Sequence, residues 1–219
     1  MTTAGEICSR ASKTLFDETR VRWKEAELLE YLSDAQKEAV LLKPTAFTKN
    51  EAAKLQPGTV QSLPAGGVAL VDIGGNMGPN GQTPGRGVTQ IDRTVLESVR
   101  PDWRTETASV TAKHYLYDDR DPTRFEIYPP QPDPAGYVQI SYGAEPPEVT
   151  AVGDELSLSA IYDTALYYLV LARAFTKSSG TQDFNKAIGF QRIAHELITG
   201  RKLTKQELHP EQMQERSKR

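Results

Sequence analysis

Cysteine and histidine are scarce in this sequence of 219 residues, which contains one cysteine, Cys8, and three histidines. A single cysteine cannot form a disulfide within the chain, so a reducing cytoplasm is the expected compartment. There is no run of about 18 apolar residues, and therefore no membrane-spanning helix is predicted. The polar N-terminus lacks the apolar core of a signal peptide, and we expect a soluble protein.

An excess of positive charge is also absent. The formal net charge is −3 at pH 7, whereas a dedicated nucleic-acid-binding protein needs a basic surface to displace counterions from phosphates. Charged residues make up 25% of the chain, the ordinary value for a folded protein, which argues against disorder throughout. The hydrophobic share of 38% is low for a self-sufficient core.

No residue pattern predicts catalysis or ligand binding. His195 has no second histidine at helical spacing, and Cys8 lies in a short amphipathic segment where a packing role is expected. The glycine-rich residues 74–87 contain no lysine, so they do not form a phosphate loop. We therefore predict no enzyme, and no catalytic, cofactor or metal site. One acidic cluster lacks the glycine and distant glutamate of an EF-hand and is typical of a turn; it consists of Asp118, Asp119 and Asp121.

Apolar residues at three- and four-residue intervals predict helices at both ends of the chain. A capping box at Thr3 and Glu6 begins the first helix, and a second runs over residues 24–42. Two more helices are predicted over residues 158–175 and 182–199. These helices are expected to pack together.

The helix predicted over residues 158–175 is apolar on most of its circumference. A helix of this kind must be covered on nearly all sides. Burial at the centre of the chain and packing against a neighbouring subunit both meet this requirement, and the sequence leaves both open. The candidate core or subunit-interface residues are Tyr162, Leu166, Tyr167 and Val170.

Short apolar runs separated by proline and glycine predict a β-rich region over residues 45–153. The glycine-rich residues 74–87 are expected to form a long mobile loop, or a contact loop that orders on assembly. Three later strands are interpreted as an antiparallel meander with one buried face. The predicted elements are a strand over 68–73, a helix over 93–99, and strands over 113–117, 124–128 and 137–142.

Together these elements predict an α+β fold in which an α-helical bundle body carries an inserted antiparallel β-rich region. The body is assigned residues 1–44 and 154–200, and the insertion is assigned residues 45–153. Residues 201–219 form a polar tail, which we expect to be disordered in isolation.

The order of these elements resembles the head-to-tail adaptor proteins of short-tailed phages, also called head-tail connector or tail tubular adaptor proteins. The similarity covers roughly residues 3–200 and rests on many short matches rather than on one motif. One departure is Gly189, because glycine is disfavoured inside an exposed helix. The matching segments are Trp23–Leu29, Asp34–Gln36, Leu42–Pro44, Pro57–Pro64, Asn76–Gly78, Ile91–Arg93, Pro101–Trp103, His114–Asp118, Asp121–Pro122, Phe125–Pro130, Tyr142–Pro147, Ile161–Tyr162 and Arg173–Lys177.

The resemblance implies a virion protein, made in the host cytoplasm, that forms a ring commonly of twelve copies at the capsid vertex. In such rings the helices form the body, the β-rich insertion faces the tail nozzle protein, and the C-terminal segment reaches the portal protein. DNA passes through the central channel without specific binding. The candidate portal-binding residues are Arg201, Lys202, Leu203, Lys205 and Leu208. The candidate nozzle or neighbour contacts are Asn76, Met77, Asn80, Gln82 and Arg86.

Two other classes of function stay open. One is an assembly factor or interaction module that leaves the finished particle, which the composition of purified virions would distinguish. The other is a small hydrolase, for which a nucleophile or a phosphate loop would be expected.

Overall fold

A computed structural model describes residues 2–177 and 181–200. Within these ranges the chain forms five α-helices and seven β-strands. It divides into two compact units: Pro44–Glu145, here called the β unit, and the described residues before and after it, here called the helical unit. The helices are α1 (Ala4–Thr14), α2 (Glu25–Leu42), α3 (Arg93–Val99), α4 (Asp163–Thr176) and α5 (Thr181–Thr199). The strands are β1 (Thr48–Lys54), β2 (Gly58–Ser62), β3 (Gly67–Asn76), β4 (Thr89–Gln90), β5 (His114–Tyr117), β6 (Arg124–Gln131) and β7 (Tyr137–Ala144).

The predicted fold class, an α-helical bundle body with an inserted β-rich region, is wrong. The described residues form five helices and two sheets with seven strands in all, so the molecule is a mixed α+β structure and not a helical body. The physical reason is that the β unit builds a core of its own. Ile73, Ile127 and Ile140 are almost completely buried in one apolar cluster within that unit. The strands are therefore as much the body of the protein as the helices are.

The central element of the helical unit is α4. Its Leu166, Leu169 and Val170 side chains are fully buried, and α1, α2 and α5 all pack against it. This apolar helix is covered by helices of its own chain. None of the described helices is long and apolar enough to span a membrane.

The helix boundaries follow local sequence signals. The carboxylate of Glu6 accepts a hydrogen bond from the backbone N–H of Thr3 at 3.1 Å, and the predicted capping box at the start of α1 is confirmed. The predicted helix α3 is confirmed, and its N-cap Asp92 accepts a hydrogen bond from the backbone N–H of Thr94. By contrast, α4 begins later than predicted because a short 3-10 helix, Ala160–Tyr162, precedes it.

The β unit consists of two sheets. The three-stranded sheet has the order β1-β7-β3, and the four-stranded sheet has the order β2-β6-β5-β4. All strand pairs are antiparallel except β4 and β5, which are parallel. Apolar residues of both sheets contribute to one core, with Ile140 from β7 and Tyr115 from β5 among them. The two sheets therefore bury their apolar faces in a common interior.

The other face of the four-stranded sheet is covered by α3 and by a 3-10 helix, Trp103–Thr105. Leu96, Trp103, Leu116 and Tyr128 form a second, smaller apolar cluster there. Because successive residues of a strand point to opposite faces, Tyr115 packs in the core between the two sheets, and its neighbour Leu116 packs in the smaller cluster.

The predicted meander of three consecutive strands is wrong. Strands β5 and β6 do form the predicted hairpin, but β7 leaves that sheet and lies between β1 and β3. Gln131, at the end of β6, fixes the point of departure: its side-chain amide donates to the carbonyl of Ser109 (2.9 Å) and accepts from the N–H of Gly136 (3.3 Å). An alternating pattern indicates which face of a strand is buried, but not which strand it pairs with.

Candidate interaction surfaces

The structure assigns the first three residues of the predicted loop, 74–76, to β3. The glycine-rich loop proper, residues 77–88, is anchored at its base by Asn76. This buried side chain donates to the carbonyl oxygens of Arg86 (2.8 Å) and Ala112 (2.9 Å), and it accepts from the N–H of Ala112 (2.8 Å). The backbone N–H of Asn76 also donates to the carbonyl of Arg86 at 2.9 Å. The segment predicted to be a mobile loop is therefore fixed where it leaves the sheet.

The other candidate contact residues of this loop lie at the surface. Asn80, Gln82 and Arg86 are exposed, whereas Met77 is half-buried. The loop bends back at Gly81, which has a φ of 72°. The predicted contact set thus divides into one internal residue, Asn76, and an exposed group, and a contact between that group and a nozzle or neighbouring subunit stays a prediction.

The candidate residues on and before α4 are mostly internal. Leu166 and Val170 have no exposed surface and Tyr167 has 7%. The hydroxyl of Tyr167 lies 2.8 Å from the Thr14 hydroxyl. Tyr162 is half-buried, and it is the member of this set that still reaches solvent.

The candidate portal-binding residues lie outside the described residues. They are Arg201, Lys202, Leu203, Lys205 and Leu208.

The side chains with reactive chemistry are engaged in packing or hydrogen bonding. Burial raises the pKa of the Cys8 thiol to about 11, which keeps it protonated and unreactive at neutral pH. One imidazole nitrogen of His114 lies 2.7 Å from the Thr89 hydroxyl. Within residues 2–177 and 181–200, no group of three or more His, Cys, Asp or Glu side chains is arranged to hold a metal ion.

A polar cluster joins three helices of the helical unit. Glu38 on α2 accepts from Arg173 on α4 (2.6 Å) and lies 2.7 Å from Nε2 of His195 on α5. Partial burial acts to raise the pKa of Glu38, but the hydrogen bonds from His195 and Arg173 outweigh it and hold the pKa below its ordinary value. The cluster therefore stabilises the packing of α2, α4 and α5.

The acidic cluster of the β5–β6 hairpin has the geometry of a turn. Asp118 accepts from the side chain of Arg120 (2.7 Å) and from its backbone N–H (3.0 Å). The Arg120 guanidinium, followed by that N–H, lowers the pKa of Asp118 to about 2. The interpretation of these aspartates as turn residues is confirmed.

One surface feature was missed by the sequence analysis: the Phe16 loop, residues 15–23, which connects α1 to α2. Asp17 organises it, because its carboxylate accepts from the backbone N–H groups of Val21, Arg22 and Trp23, each at 2.9 Å. These hydrogen bonds, that of Trp23 foremost, lower the pKa of Asp17. The carboxylate thus fixes the backbone of a loop that contains no glycine.

The Phe16 loop has two buried side chains that attach it to the helical unit and two apolar side chains that are exposed to solvent. Leu15 and Trp23 are buried, and the indole N–H of Trp23 donates to the carbonyl of Ala174 at 3.2 Å. Phe16 is 96% exposed and Val21 is 79% exposed. The sequence contains one signal for this feature: Phe16 and Val21 are apolar but do not continue the apolar face of α1, so they are not expected to be buried with it.

A comparison with protein-family models gives a match over residues 2–211 to the family described as SU10 adaptor protein. No curated protein matches the chain.

Proposed function

The chain belongs to the SU10 adaptor protein family, and from this premise we propose that it forms a ring joining the portal protein to the tail nozzle protein. The family is a phage adaptor family, so the protein is a structural virion component that contacts other virion components. The family match over residues 2–211 is the observation that carries the proposal. Its finer parts are a ring of twelve copies, a seat at the capsid vertex of a short-tailed phage, and a central channel for DNA.

The charge of the chain supports a passive DNA channel. With a formal net charge of −3, the ring has no general excess of the lysine and arginine that bind phosphates by releasing counterions. DNA moving through such a ring is not held by the wall. No specific binding of DNA is proposed.

Both units contribute to the proposed ring. The exposed part of the glycine-rich loop, Asn80, Gln82 and Arg86, contacts the nozzle or a neighbouring copy. The C-terminal segment from Arg201 onward, which carries the candidate portal-binding residues, docks on the portal. A basic segment with interspersed leucines is suited to an acidic groove.

The proposal is tested on purified phage particles. The expected result is that the chain is present in stoichiometric amount, and that a cryo-EM map of the tailed particle accepts a ring of it between portal and nozzle. Absence of the chain from finished particles would overturn the proposal and favour an assembly factor.

Removal of residues 201–219 tests portal docking. The shortened chain is expected to fold, because α5 is already closed at Gly200, whose N–H donates to the carbonyl of Glu196 at 2.9 Å. We expect the melting temperature to be unchanged and the affinity for purified portal to fall at least about tenfold. The matched control, removal of residues 210–219 only, keeps all five candidate portal-binding residues and is expected to bind normally. Equal binding by both shortened chains would contradict portal docking by residues 201–209.

A further inference from the structure

We propose that the Phe16 loop of one copy docks on the exposed acidic side of α2 in a second copy, and that this is the head-to-tail contact between subunits. The inference rests on the proposed ring and names the surfaces that form it. The loop supplies two apolar side chains, Phe16 and Val21, and α2 supplies an apolar end flanked by carboxylates.

Phe16 occupies the left-handed position that closes the end of α1: its N–H donates to the carbonyl of Lys13 at 3.2 Å, and the N–H of Asp17 donates to the carbonyl of Ser12 at 3.0 Å. Phe16 and Arg20 have φ values of 54° and 55°, and they are the non-glycine residues with positive φ among those the structure describes. Glycine or asparagine adopts this conformation more easily than an aromatic residue does. A phenylalanine held there at 96% exposure is typical of an interaction residue, because strained backbone and bare apolar surface both cost stability in the isolated chain.

The loop is also rigid, which favours a docking role. The three N–H groups bound by Asp17 and the buried side chains of Leu15 and Trp23 fix the backbone on both sides of Phe16. A preorganised loop loses little conformational entropy when it binds. Large apolar side chains on such a loop are well suited to serve as anchors.

The complementary surface lies along α2. Glu30, Asp34 and Leu41 are exposed, and their spacing of four and seven residues places them on one side of the helix. Leu41 is 70% exposed, and Ile161 is 81% exposed. Ile161 precedes Tyr162, whose ring centroid lies 5.5 Å from the Lys43 ammonium near the end of α2. Lys37 lies on the same side and is paired with Glu148 at 3.2 Å. This side of the helix therefore presents two carboxylates, one lysine that already has an acidic partner, and an apolar end.

The charges of the two surfaces are opposite. Lys13 and Lys24, which flank the Phe16 loop, are exposed, and they would face Glu30 and Asp34. Asp34 also lies 3.9 Å from Arg173 with 63% of its side chain exposed, so it is available to a second cation. Such charge pairs set the register of an interface, while the buried apolar anchors supply most of its affinity.

One molecule cannot make this contact with itself. The loop ends where α2 begins, and a helix rises by 1.5 Å per residue, so Leu41 lies about 25 Å along the axis from Lys24. The contact must join two copies through different surfaces. Repetition of a heterologous contact of this kind generates a ring when the rotation between copies closes.

Cross-linking with introduced cysteines tests the contact in assembled particles. Phages carrying Val21→Cys together with Leu41→Cys are purified, shown by immunoblot to contain the chain, and treated with a short bis-maleimide. Cys8 is buried and does not compete. We expect a ladder of cross-linked multimers from the double variant and none from either single variant, or from Val21→Cys paired with Val95→Cys on the β unit.

The outcomes separate this inference from the proposed function. Particles that lack the chain would overturn the proposed ring and this contact with it. Particles that contain the chain but yield no ladder would overturn the contact alone. So would cross-linking of Val21→Cys to itself or to the portal, because the loop would then face another partner.

Charge reversal in separate copies sharpens the test. Purified Val21→Cys chain that also carries Lys24→Glu is mixed with Leu41→Cys chain, and the heterodimer yield is expected to fall about two- to fivefold, as the loss of an exposed ion pair predicts. Addition of Asp34→Lys to the Leu41→Cys chain is expected to restore the yield. A yield that Lys24→Glu leaves unchanged, or that Asp34→Lys does not restore while both chains retain their circular dichroism spectra, would contradict the proposed register.

Discussion

The two units of this chain are held together in different ways. The helical unit encloses one apolar helix, α4, among three others. In the β unit, the buried amide side chains of Gln61, Asn76 and Gln131 each accept from and donate to the backbone of a turn, loop or link. Helices satisfy their own backbone groups, so the helical unit depends mainly on apolar closure, with a buried amide, Gln36, that accepts from the N–H of Ser157 at 3.1 Å. The irregular segments between strands depend more on polar partners. The first unit is therefore sensitive to polarity in its centre, and the second to the loss of a few amides.

The largest effect is expected from Leu166→Asp. This change buries a carboxylate without a partner at a side chain with no exposed surface, and it should reduce the free energy of unfolding of the helical unit by about 4 kcal/mol or more. The two tryptophans, Trp23 and Trp103, report on the helical and β units separately, so urea unfolding is followed by the fluorescence of Trp23 in a Trp103→Phe background. The control is Thr164→Asp, at an exposed position two residues earlier, and it should leave the urea midpoint unchanged. A normal midpoint for Leu166→Asp would show that α4 is not enclosed.

Asn76→Ala should have the next largest effect, and on the other unit. It removes three side-chain hydrogen bonds at the base of the glycine-rich loop and leaves the N–H of Ala112 without its acceptor. A loss of about 2–3 kcal/mol is expected, seen in the Trp103 fluorescence of a Trp23→Phe background. Gln82→Ala, exposed on the same loop, should cost almost nothing. If Asn76→Ala shifted the Trp23 transition equally, the two units would not be stabilised independently.

The smallest effect is expected on the stability of the helical unit at acidic pH. The folded pKa of Glu38 is lower than its ordinary value of 4.5, so its contribution to stability is fully present above that value and is lost as the pH falls through the folded pKa. Because the cluster with Arg173 and His195 is partly exposed, this contribution is expected to be about 1 kcal/mol. The melting temperature of Glu38→Gln should therefore fall less between pH 7 and about pH 3 than that of the natural chain. The exposed Glu30→Gln serves as control, and an equal acid dependence of the natural chain and Glu38→Gln would contradict the role of the cluster.

The helices were predictable because their signals are local. The capping box at Thr3 and the three- and four-residue spacing in α2 depend on neighbours within one or two turns. Strand β1 was not predicted, because Thr48–Lys54 lies on a sheet edge and is exposed along almost its whole length, so it shows no alternation. The pairing of β7 with β1 was not predictable either, because the paired residues are far apart in the sequence. Asn50 and Ser141, for example, are 91 residues apart.

The candidate surfaces were predicted less well for related reasons. The glycine-rich loop was recognised from its composition, but burial of Asn76 depends on Ala112, a residue distant in the sequence. The apolar helix was recognised too, yet the sequence did not decide between burial at the centre of the chain and packing against a neighbouring subunit; in the structure α1, α2 and α5 cover it. The Phe16 loop was missed because the polar residues Asp17 and Glu18 after the first helix are typical of an ordinary helix end.

The β unit begins and ends at the same place. The chain enters it at Pro44 and leaves it after Glu145, and the two ends are in such close contact that a β-carbon added to Gly143 would lie 2.7 Å from that of Pro44. A unit with adjacent ends can be lengthened or exchanged by recombination without separating the chain segments that flank it. Such an exchange would alter the β unit while the apolar core around α4 kept all of its own residues.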